Sequence, residues 1–213
     1  MIRQRCKMEK GQFIVFEGID GAGKTTQVRL LADALENMGK RVYITAEPTS
    51  MPTGRDLRRV LSGEVKKSDS EIAAMFALDR MAHNLDPIDG IEKMISDGYV
   101  IICDRYYYSS LAYQGSCIDY DWVKSLNVNC PDIRRPDLCI FLDLAPEESM
   151  RRIGRGRDST EIYENIDTLS RVRASFMRVF DDLASSDDIE IIDASGTVED
   201  VSAKVVCAVS QRL

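Results

Sequence analysis

Short apolar runs alternate with longer amphipathic stretches along most of this chain of 213 residues. Runs with strand character lie at 13–16, 42–44, 99–103, 138–142 and 189–192. They are apolar throughout rather than at every second position, which is typical of strands buried on both faces. The alternation therefore predicts an α/β fold, with a central parallel five-stranded sheet and helices on both faces.

The stretches between these runs have helical periodicity. Apolar side chains recur at helical spacing from Thr25 to Met38, where Gly39 follows as a stop signal. Further helices are predicted over 54–61, over 71–97 with a bend or break near Pro87, from Pro146, over 169–183 and from Val198. Because no repeat or linker interrupts the pattern, residues 12–213 are predicted to form one domain.

The charge balance limits the classes of partner. The chain has 35 acidic and 28 Lys or Arg residues, a formal net charge of -7. Proteins that coat nucleic acid or anionic membranes usually have the opposite sign. No apolar run approaches the roughly 18–20 residues that a membrane span needs. We therefore expect neither a nucleic-acid nor a membrane partner.

The chain start and the cysteines indicate the compartment. Residues 1–11 carry four basic side chains and are expected to be a flexible extension, because no apolar segment with a cleavage site follows them. The six cysteines form no CxxC pair and the chain has one histidine, His83, which argues against a zinc site. Reduced thiols and a cytoplasmic location are the resulting expectation.

A phosphate-binding motif follows the first predicted strand. The segment Gly18-Ile-Asp-Gly-Ala-Gly-Lys24-Thr25 matches the P-loop pattern G-x-x-x-x-G-K-[ST]. Its glycines let backbone N–H groups converge on a phosphate, next to the positive end of a helix. Lys24 is expected to reach the outer phosphates, and the Thr25 hydroxyl to bind Mg²⁺. The predicted phosphate site consists of Gly18, Asp20, Gly21, Ala22, Gly23, Lys24, Thr25 and Thr26.

The motif indicates that the chain binds a nucleotide, but it does not specify the reaction. A GTPase would need an N-K-x-D motif, which the chain lacks, and a motor or helicase would need a longer chain. A small kinase is favoured because Arg105 follows the third strand, at the sheet edge where ligands bind. Its guanidinium can hold an acceptor phosphate by two hydrogen bonds. The alternative is a surface salt bridge between Arg105 and Asp104.

Two side chains on one predicted helix could form a binding site for a planar base. Phe76 and Arg80 are four residues apart and share a helix face. The ring could stack on a base while the guanidinium donates to an exocyclic oxygen. The alternative places Phe76 in the core and pairs Arg80 with a nearby acid.

Taken in order along the chain, these motifs resemble the thymidylate kinase family. The resemblance covers about residues 12–195 and rests on the segments 16–26, 47–49, 76–80, 104–115 and 136–143. It implies a P-loop kinase fold and transfer of the γ-phosphoryl group of ATP to dTMP, giving dTDP. It also implies Mg²⁺ as cofactor and a homodimer.

The resemblance implies roles for individual residues. Asp20 would orient the acceptor through its 3′-OH, and Arg105 would hold the acceptor phosphate. Phe76 would stack on thymine, and Arg80 would donate to its O4. The implied dTMP site as a whole contains Asp20, Glu47, Arg58, Phe76, Arg80, Arg105, Ser110, Tyr113 and Gln114. Tyr113 would lie beside the sugar 2′ position, and Arg55 is the alternative to Arg58 for a second contact to the dTMP phosphate.

The metal site is expected at Thr25, with Glu47 or Asp104 joining through water. One departure from the family pattern lies close by. The family often has Glu-Pro-Gly-Gly after the second strand, whereas this chain has Glu-Pro-Thr-Ser at 47–50, so the loop is expected to differ in shape.

An Arg-rich segment is expected to form a lid over about 150–163. It combines four arginines with two glycines, which permit the backbone change that closure needs. Ala22 occupies the P-loop position where one type of thymidylate kinase carries an Arg, so the resemblance implies that Arg152, Arg155 or Arg157 supplies the catalytic charge instead. The alternative is an exposed basic loop or nucleic-acid patch.

Other function classes remain as alternatives. Another deoxynucleotide kinase, or a deoxynucleoside kinase, would use the same P-loop with a different acceptor. A nucleotide-binding switch would bind ATP without any acceptor turnover.

Overall fold

The computed structural model describes residues 11–154 and 165–213. Within these ranges the strands are β1 (Gln12–Glu17), β2 (Val42–Ala46), β3 (Val100–Asp104), β4 (Leu138–Asp143) and β5 (Ile189–Asp193). They form a sheet in the order β2-β3-β1-β4-β5, and every neighbouring pair is parallel. The predicted α/β fold with a five-stranded parallel sheet is confirmed.

The helices of the described ranges are α1 (Lys24–Asn37), α2 (Pro52–Leu61), α3 (Asp69–Leu85), α4 (Ile91–Ser96), α5 (Tyr107–Tyr113), α6 (Tyr120–Asn127), α7 (Pro146–Ile153), α8 (Ile166–Leu183) and α9 (Val198–Ser210). The stretch predicted over 71–97 is indeed broken, and Pro87 lies in the turn between α3 and α4. Helix α3 begins at a capping box, in which Ser68 and Glu71 satisfy each other's backbone N–H groups. Helix α6 has no counterpart among the predicted helices.

The core lies on both faces of the sheet, because successive side chains of a strand point in opposite directions. One face packs Ile14, Phe16, Ile102 and Ile140 against α1 and α9. The opposite face packs the alternate strand residues, with Phe13 among them, against α4, α5 and α8. Burial on both faces is the physical reason for the uninterrupted apolar runs.

The parallel sheet brings three loops to one edge. The P-loop follows β1, residues 47–49 follow β2, and Arg105 follows β3. In the strand register, both Phe16 and Ala46 are level with Asp104, so all three loops leave the sheet at the same height. This edge holds the candidate site. None of the described helices is both long and apolar enough to span a bilayer.

Candidate active site

The P-loop wraps around the Lys24 ammonium. Helix α1 begins at Lys24, and Gly23 caps it with φ of 95°, a conformation that favours glycine. Lys24 Nζ donates to the carbonyl oxygens of Gly18 at 3.0 Å and Ile19 at 3.2 Å. Burial, aided by the positive charge of Arg105, lowers the pKa of Lys24 from its ordinary value. A phosphate arriving here would meet a positive side chain that is already positioned.

Close packing restricts the P-loop from outside. A Cβ added at Gly21, where φ is 77°, would lie 2.8 Å from the Ser149 carbonyl oxygen of α7. The Ser149 hydroxyl in turn donates to the Asp20 carbonyl. The loop therefore requires glycine at position 21 and is held against α7, whose last residues begin the Arg-rich segment.

Two oxygen-bearing side chains meet beside Lys24. Thr25 Oγ1 donates to Asp104 Oδ2 at 3.1 Å, which joins the start of α1 to the end of β3. Hydroxyl and carboxylate oxygens are the ligand types that Mg²⁺ prefers, so this pair fits the expected metal. The described residues contain no cluster of three or more His, Cys, Asp or Glu side chains able to hold a metal by themselves. Magnesium here would take most of its ligands from phosphates and water.

Arg105 has an unusual backbone conformation. Its φ of 70° is left-handed, and it is the one non-glycine residue of the described ranges with positive φ. Its guanidinium pairs with the Asp20 carboxylate and donates to Ser109 Oγ at 3.1 Å. The alternative salt bridge with Asp104 is not formed, because Asp104 faces Thr25. Backbone strain of this kind concentrates at functional sites.

Two cavities meet at the Asp20–Arg105 ion pair. The larger, of about 460 Å³, is lined by the P-loop together with Arg58, Asp104, Arg152 and other side chains of this edge. The smaller, of about 140 Å³, is lined by Leu61, Phe76, Arg80, Tyr106, Ser109, Tyr113 and Gln114, among others. Asp20, Glu47, Pro48 and Arg105 line both. The Asp20–Arg105 pair therefore lies where the two cavities meet.

Arg80 is buried at the wall of the smaller cavity. Its Nε donates to Glu47 Oε2 at 2.8 Å, and its Nη1 donates to Ser110 Oγ at 3.2 Å and to Asn127. His83 Nδ1 lies 3.0 Å from the second oxygen of Glu47. The alternative in which Arg80 pairs with an acid is therefore realised, although Arg80 also lines the cavity. Both carboxylate oxygens of Glu47 are thus engaged, one by Arg80 and the other by His83.

Comparison with known proteins identifies the family. The sequence model described as thymidylate kinase matches residues 16–205. The chain belongs to the thymidylate kinase family. It is 38% identical to a protein named probable thymidylate kinase from Pyrococcus horikoshii, over 96% of this chain and 98% of that protein. It is 40% identical to one so named from Methanococcus aeolicus, over 92% of this chain and 94% of that protein.

A third relative shows a similar match. The chain is 34% identical to a protein named thymidylate kinase from Desulfotalea psychrophila, over 95% of this chain and 96% of that protein. The resemblance seen in the motifs is thereby confirmed over nearly the whole chain.

The loop after β2, where the sequence departs from the family pattern, is held by side-chain hydrogen bonds. The Thr49 hydroxyl donates to Asp79 Oδ1 at 2.6 Å, and the Thr49 N–H donates to Asp79 Oδ2 at 2.8 Å. Thr53 Oγ1 also donates to Asp79, at 2.7 Å. Arg58 donates to the carbonyl oxygens of Thr49 and Pro48. A threonine thus ties this loop of the thymidylate kinase fold to α3.

The Arg-rich segment is described only up to Gly154. Arg152 lines the larger cavity, and it donates to Glu148 Oε1 at 2.9 Å and to the Ala194 carbonyl at 3.2 Å. Arg155 and Arg157, and with them most of the predicted lid, lie outside the described residues. His83 and Asn127 were not predicted as site residues. Neither has a sequence signal, because each acts only through side chains distant in sequence.

Proposed function

We propose that this chain transfers the γ-phosphoryl group of Mg·ATP to dTMP, giving dTDP. The observation that carries the proposal is the ion pair of Asp20 and Arg105, whose side chains line both cavities. In-line phosphoryl transfer requires donor and acceptor to meet at one point with compensating charge. Family membership agrees with this reaction.

The larger cavity is the proposed donor site. The N–H groups of the P-loop from Gly18 to Thr26, with Lys24, would hold the phosphates of ATP. Thr25 and Asp104 would hold Mg²⁺, directly or through water, and the ion would neutralise charge on the phosphate oxygens. Glu47 is a weaker choice for this role, since Arg80 and His83 hold its carboxylate.

The smaller cavity is the proposed dTMP site. Phe76 would stack on thymine, while Arg80 and Ser110 face its polar edge and Gln114 lies near the base. Tyr113 would crowd the sugar 2′ position and so select a deoxyribose. All but Ser110 line this cavity, and Ser110 touches Arg80.

The charged side chains where the two cavities meet are the proposed catalytic groups. Arg105 would hold the dTMP phosphate, and Asp20 would orient the nucleotide through its 3′-OH. Arg58 would add positive charge from the larger cavity, where its donors now face carbonyl oxygens. One of Arg152, Arg155 and Arg157 would neutralise the transferred phosphoryl group. Arginine in this role is worth about 10³–10⁵ in rate in other phosphoryl-transfer enzymes.

We further propose that the chain works as a homodimer in the cytoplasm. Leu78 and Leu85 lie seven residues apart on α3, and both are about half exposed. Together with the largely exposed Ile88 they present apolar surface that a second copy would cover. The described cysteines are free thiols, which suits a reducing compartment. Sedimentation analysis would test the dimer, and a monomer at micromolar concentration would contradict it.

The test of function is ADP release measured with dTMP, dUMP, dCMP, dGMP, UMP and free thymidine as separate acceptors. We expect the fastest turnover with dTMP and none without a divalent cation. Faster turnover of another monophosphate would overturn the choice of substrate. Turnover of thymidine would instead identify a deoxynucleoside kinase, and ATP binding with no turnover would identify a switch.

A further inference from the structure

Glu17 is a buried carboxylate that touches neither proposed ligand site. It is the last residue of β1, directly before the P-loop, and it is 0% exposed. Its Oε1 accepts from the N–H groups of Tyr106 at 2.8 Å and Ser109 at 3.0 Å. Its Oε2 accepts from Ser109 Oγ at 2.6 Å. All these donors lie at the start of α5, directly after Arg105.

A buried charge is costly unless donors surround it. Three donors converge on Glu17, which suits an ionised carboxylate because this group only accepts hydrogen bonds. Burial raises the pKa of Glu17, and the positive charge of Arg105 opposes that rise. The Glu17 carboxylate and the Arg105 guanidinium therefore interact electrostatically without a direct hydrogen bond.

Ser109 connects the two charged groups. Its hydroxyl donates to Glu17 and accepts from Arg105 Nη1 at 3.1 Å. The Arg105 backbone N–H donates to the Phe16 carbonyl at 2.9 Å, the residue directly before Glu17. Two hydrogen bonds thus fix the left-handed conformation of Arg105. Its own N–H group donates to Phe16, and the N–H group of the next residue, Tyr106, donates to Glu17. A strained residue persists only where its surroundings determine it in this way.

We propose that Glu17 is a positioning residue for phosphoryl transfer. Through Ser109 and the Tyr106 amide, it holds Arg105 in the conformation that lines both cavities. The role rests on the proposed function, because it assigns Arg105 to the acceptor phosphate. It predicts that loss of the Glu17 charge weakens the acceptor site while the donor site stays intact.

The chain contains a matched control that contacts the same helix, α5, from outside it. Asp187 accepts from Tyr108 OH at 2.8 Å, from Tyr107 OH at 2.5 Å and from Arg135 Nη1 at 2.6 Å. Its side chain is 1% exposed. Like Glu17 it is a buried acceptor that braces α5 and lines neither cavity, but its donors are Tyr107, Tyr108 and Arg135 rather than Tyr106 and Ser109 beside Arg105. Asp187→Asn therefore reports what loss of a buried carboxylate against α5 does to stability alone.

The experiment measures dTMP and non-hydrolysable ATP-analogue affinities by calorimetry, with kcat and both KM values, in five variants. These are Glu17→Gln, Ser109→Ala, Asp187→Asn, Arg105→Ala and the double variant Glu17→Gln/Arg105→Ala. Glu17→Gln is expected to weaken dTMP binding about tenfold or more and to lower kcat. ATP-analogue affinity should stay within about twofold. Ser109→Ala should shift dTMP affinity in the same direction by less.

The double variant separates positioning from general damage. If Glu17 acts through Arg105, Glu17→Gln should change dTMP affinity little once Arg105 is alanine. Equal losses of dTMP and ATP-analogue affinity in Glu17→Gln, or the same dTMP loss in Asp187→Asn, would overturn the proposal. Should Glu17→Gln fail to fold, Ser109→Ala is compared with Ser109→Ala/Arg105→Ala, because Ser109 also lines the smaller cavity. A dTMP loss in Ser109→Ala that disappears once Arg105 is alanine would support the proposal, and unchanged affinity or a loss that persists would overturn it. Failure of the parent chain to bind dTMP would instead contradict the proposed function.

Discussion

The Arg80 guanidinium and the Glu47 carboxylate form a salt bridge inside the protein, with Nη2 2.7 Å from Oε2 and side chains only 1% and 2% exposed. His83 and Asn127 complete the arrangement from α3 and α6. The planar group that faces the smaller cavity is therefore held rigid before any ligand arrives, which reduces the entropy lost on binding.

Glu47→Ala should destabilise the protein strongly, because it leaves the Arg80 charge buried without its counter-ion. Removing one partner of a buried pair costs about 3–5 kcal/mol in the free energy of unfolding. Urea denaturation would measure this change. The exposed Glu36 of α1 offers the control, and Glu36→Ala should stay within about 0.5 kcal/mol of the parent. A Glu47→Ala variant as stable as Glu36→Ala would contradict the buried pair.

Arg105→Lys should lower kcat/KM for dTMP by about 10²-fold or more, since an ammonium cannot replace the planar two-bond contact with a phosphate. KM for ATP should change little. Steady-state kinetics with each substrate varied would measure both effects. Arg171→Ala, an exposed arginine of α8, should leave both parameters unchanged. An equal loss for ATP and dTMP would show that Arg105 serves the fold or the donor site instead.

The buried Lys24 should make kcat/KM for ATP decrease at alkaline pH. Burial, then the charge of Arg105, lowers its pKa below the ordinary 10.5. The cation binds phosphate, so kcat/KM for ATP should fall as pH rises through this lowered pKa. Bound phosphates favour the charged form, so kcat at saturating ATP should hold to higher pH. Lys24→Arg should lose much of the activity, and its kcat/KM for ATP should no longer decrease at alkaline pH. An unchanged alkaline decrease in this variant would assign the titration to another group.

Tyr113→Ala should relax the selection of deoxyribose. Tyr113 lines the smaller cavity with 9% of its surface exposed, which leaves little room beside a sugar. The ratio of kcat/KM for ribothymidine 5′-monophosphate to that for dTMP should rise by about tenfold or more. Tyr120→Phe, which alters a tyrosine hydroxyl bonded to Asp182, serves as the control with no expected change in ratio. An unaltered ratio in Tyr113→Ala would place sugar selection elsewhere.

Thr25→Ala should raise the Mg²⁺ concentration needed for half-maximal rate, because it removes the hydroxyl paired with Asp104. Thr25→Ser keeps that hydroxyl and should restore the parent requirement. Titration of Mg²⁺ at fixed ATP analyses both variants. The same Mg²⁺ dependence in Thr25→Ala and the parent would exclude Thr25 from the metal site.

Much of the fold was predictable because its signals are local. The uninterrupted apolar runs of β1, β3 and β4 indicate burial on both faces, and only a covered parallel sheet provides it. Helix α6 was missed because it is short, and only Val123 and Asn127 of its eight residues are buried. The lid prediction stays open, since most of that segment lies outside the described residues.

By itself, the sequence determined the P-loop, the α/β layers and the position of Arg105 at a strand end, since each depends on the spacing of near neighbours. Only the tertiary structure decided which charges pair. Asp20 and Arg105 are 85 residues apart and meet because β1 and β3 are neighbours in the sheet. The same holds for Arg80 with Glu47 and Asn127, 33 and 47 residues away. Such pairs leave no periodic trace, because the strand order and helix packing that create them are properties of the whole fold.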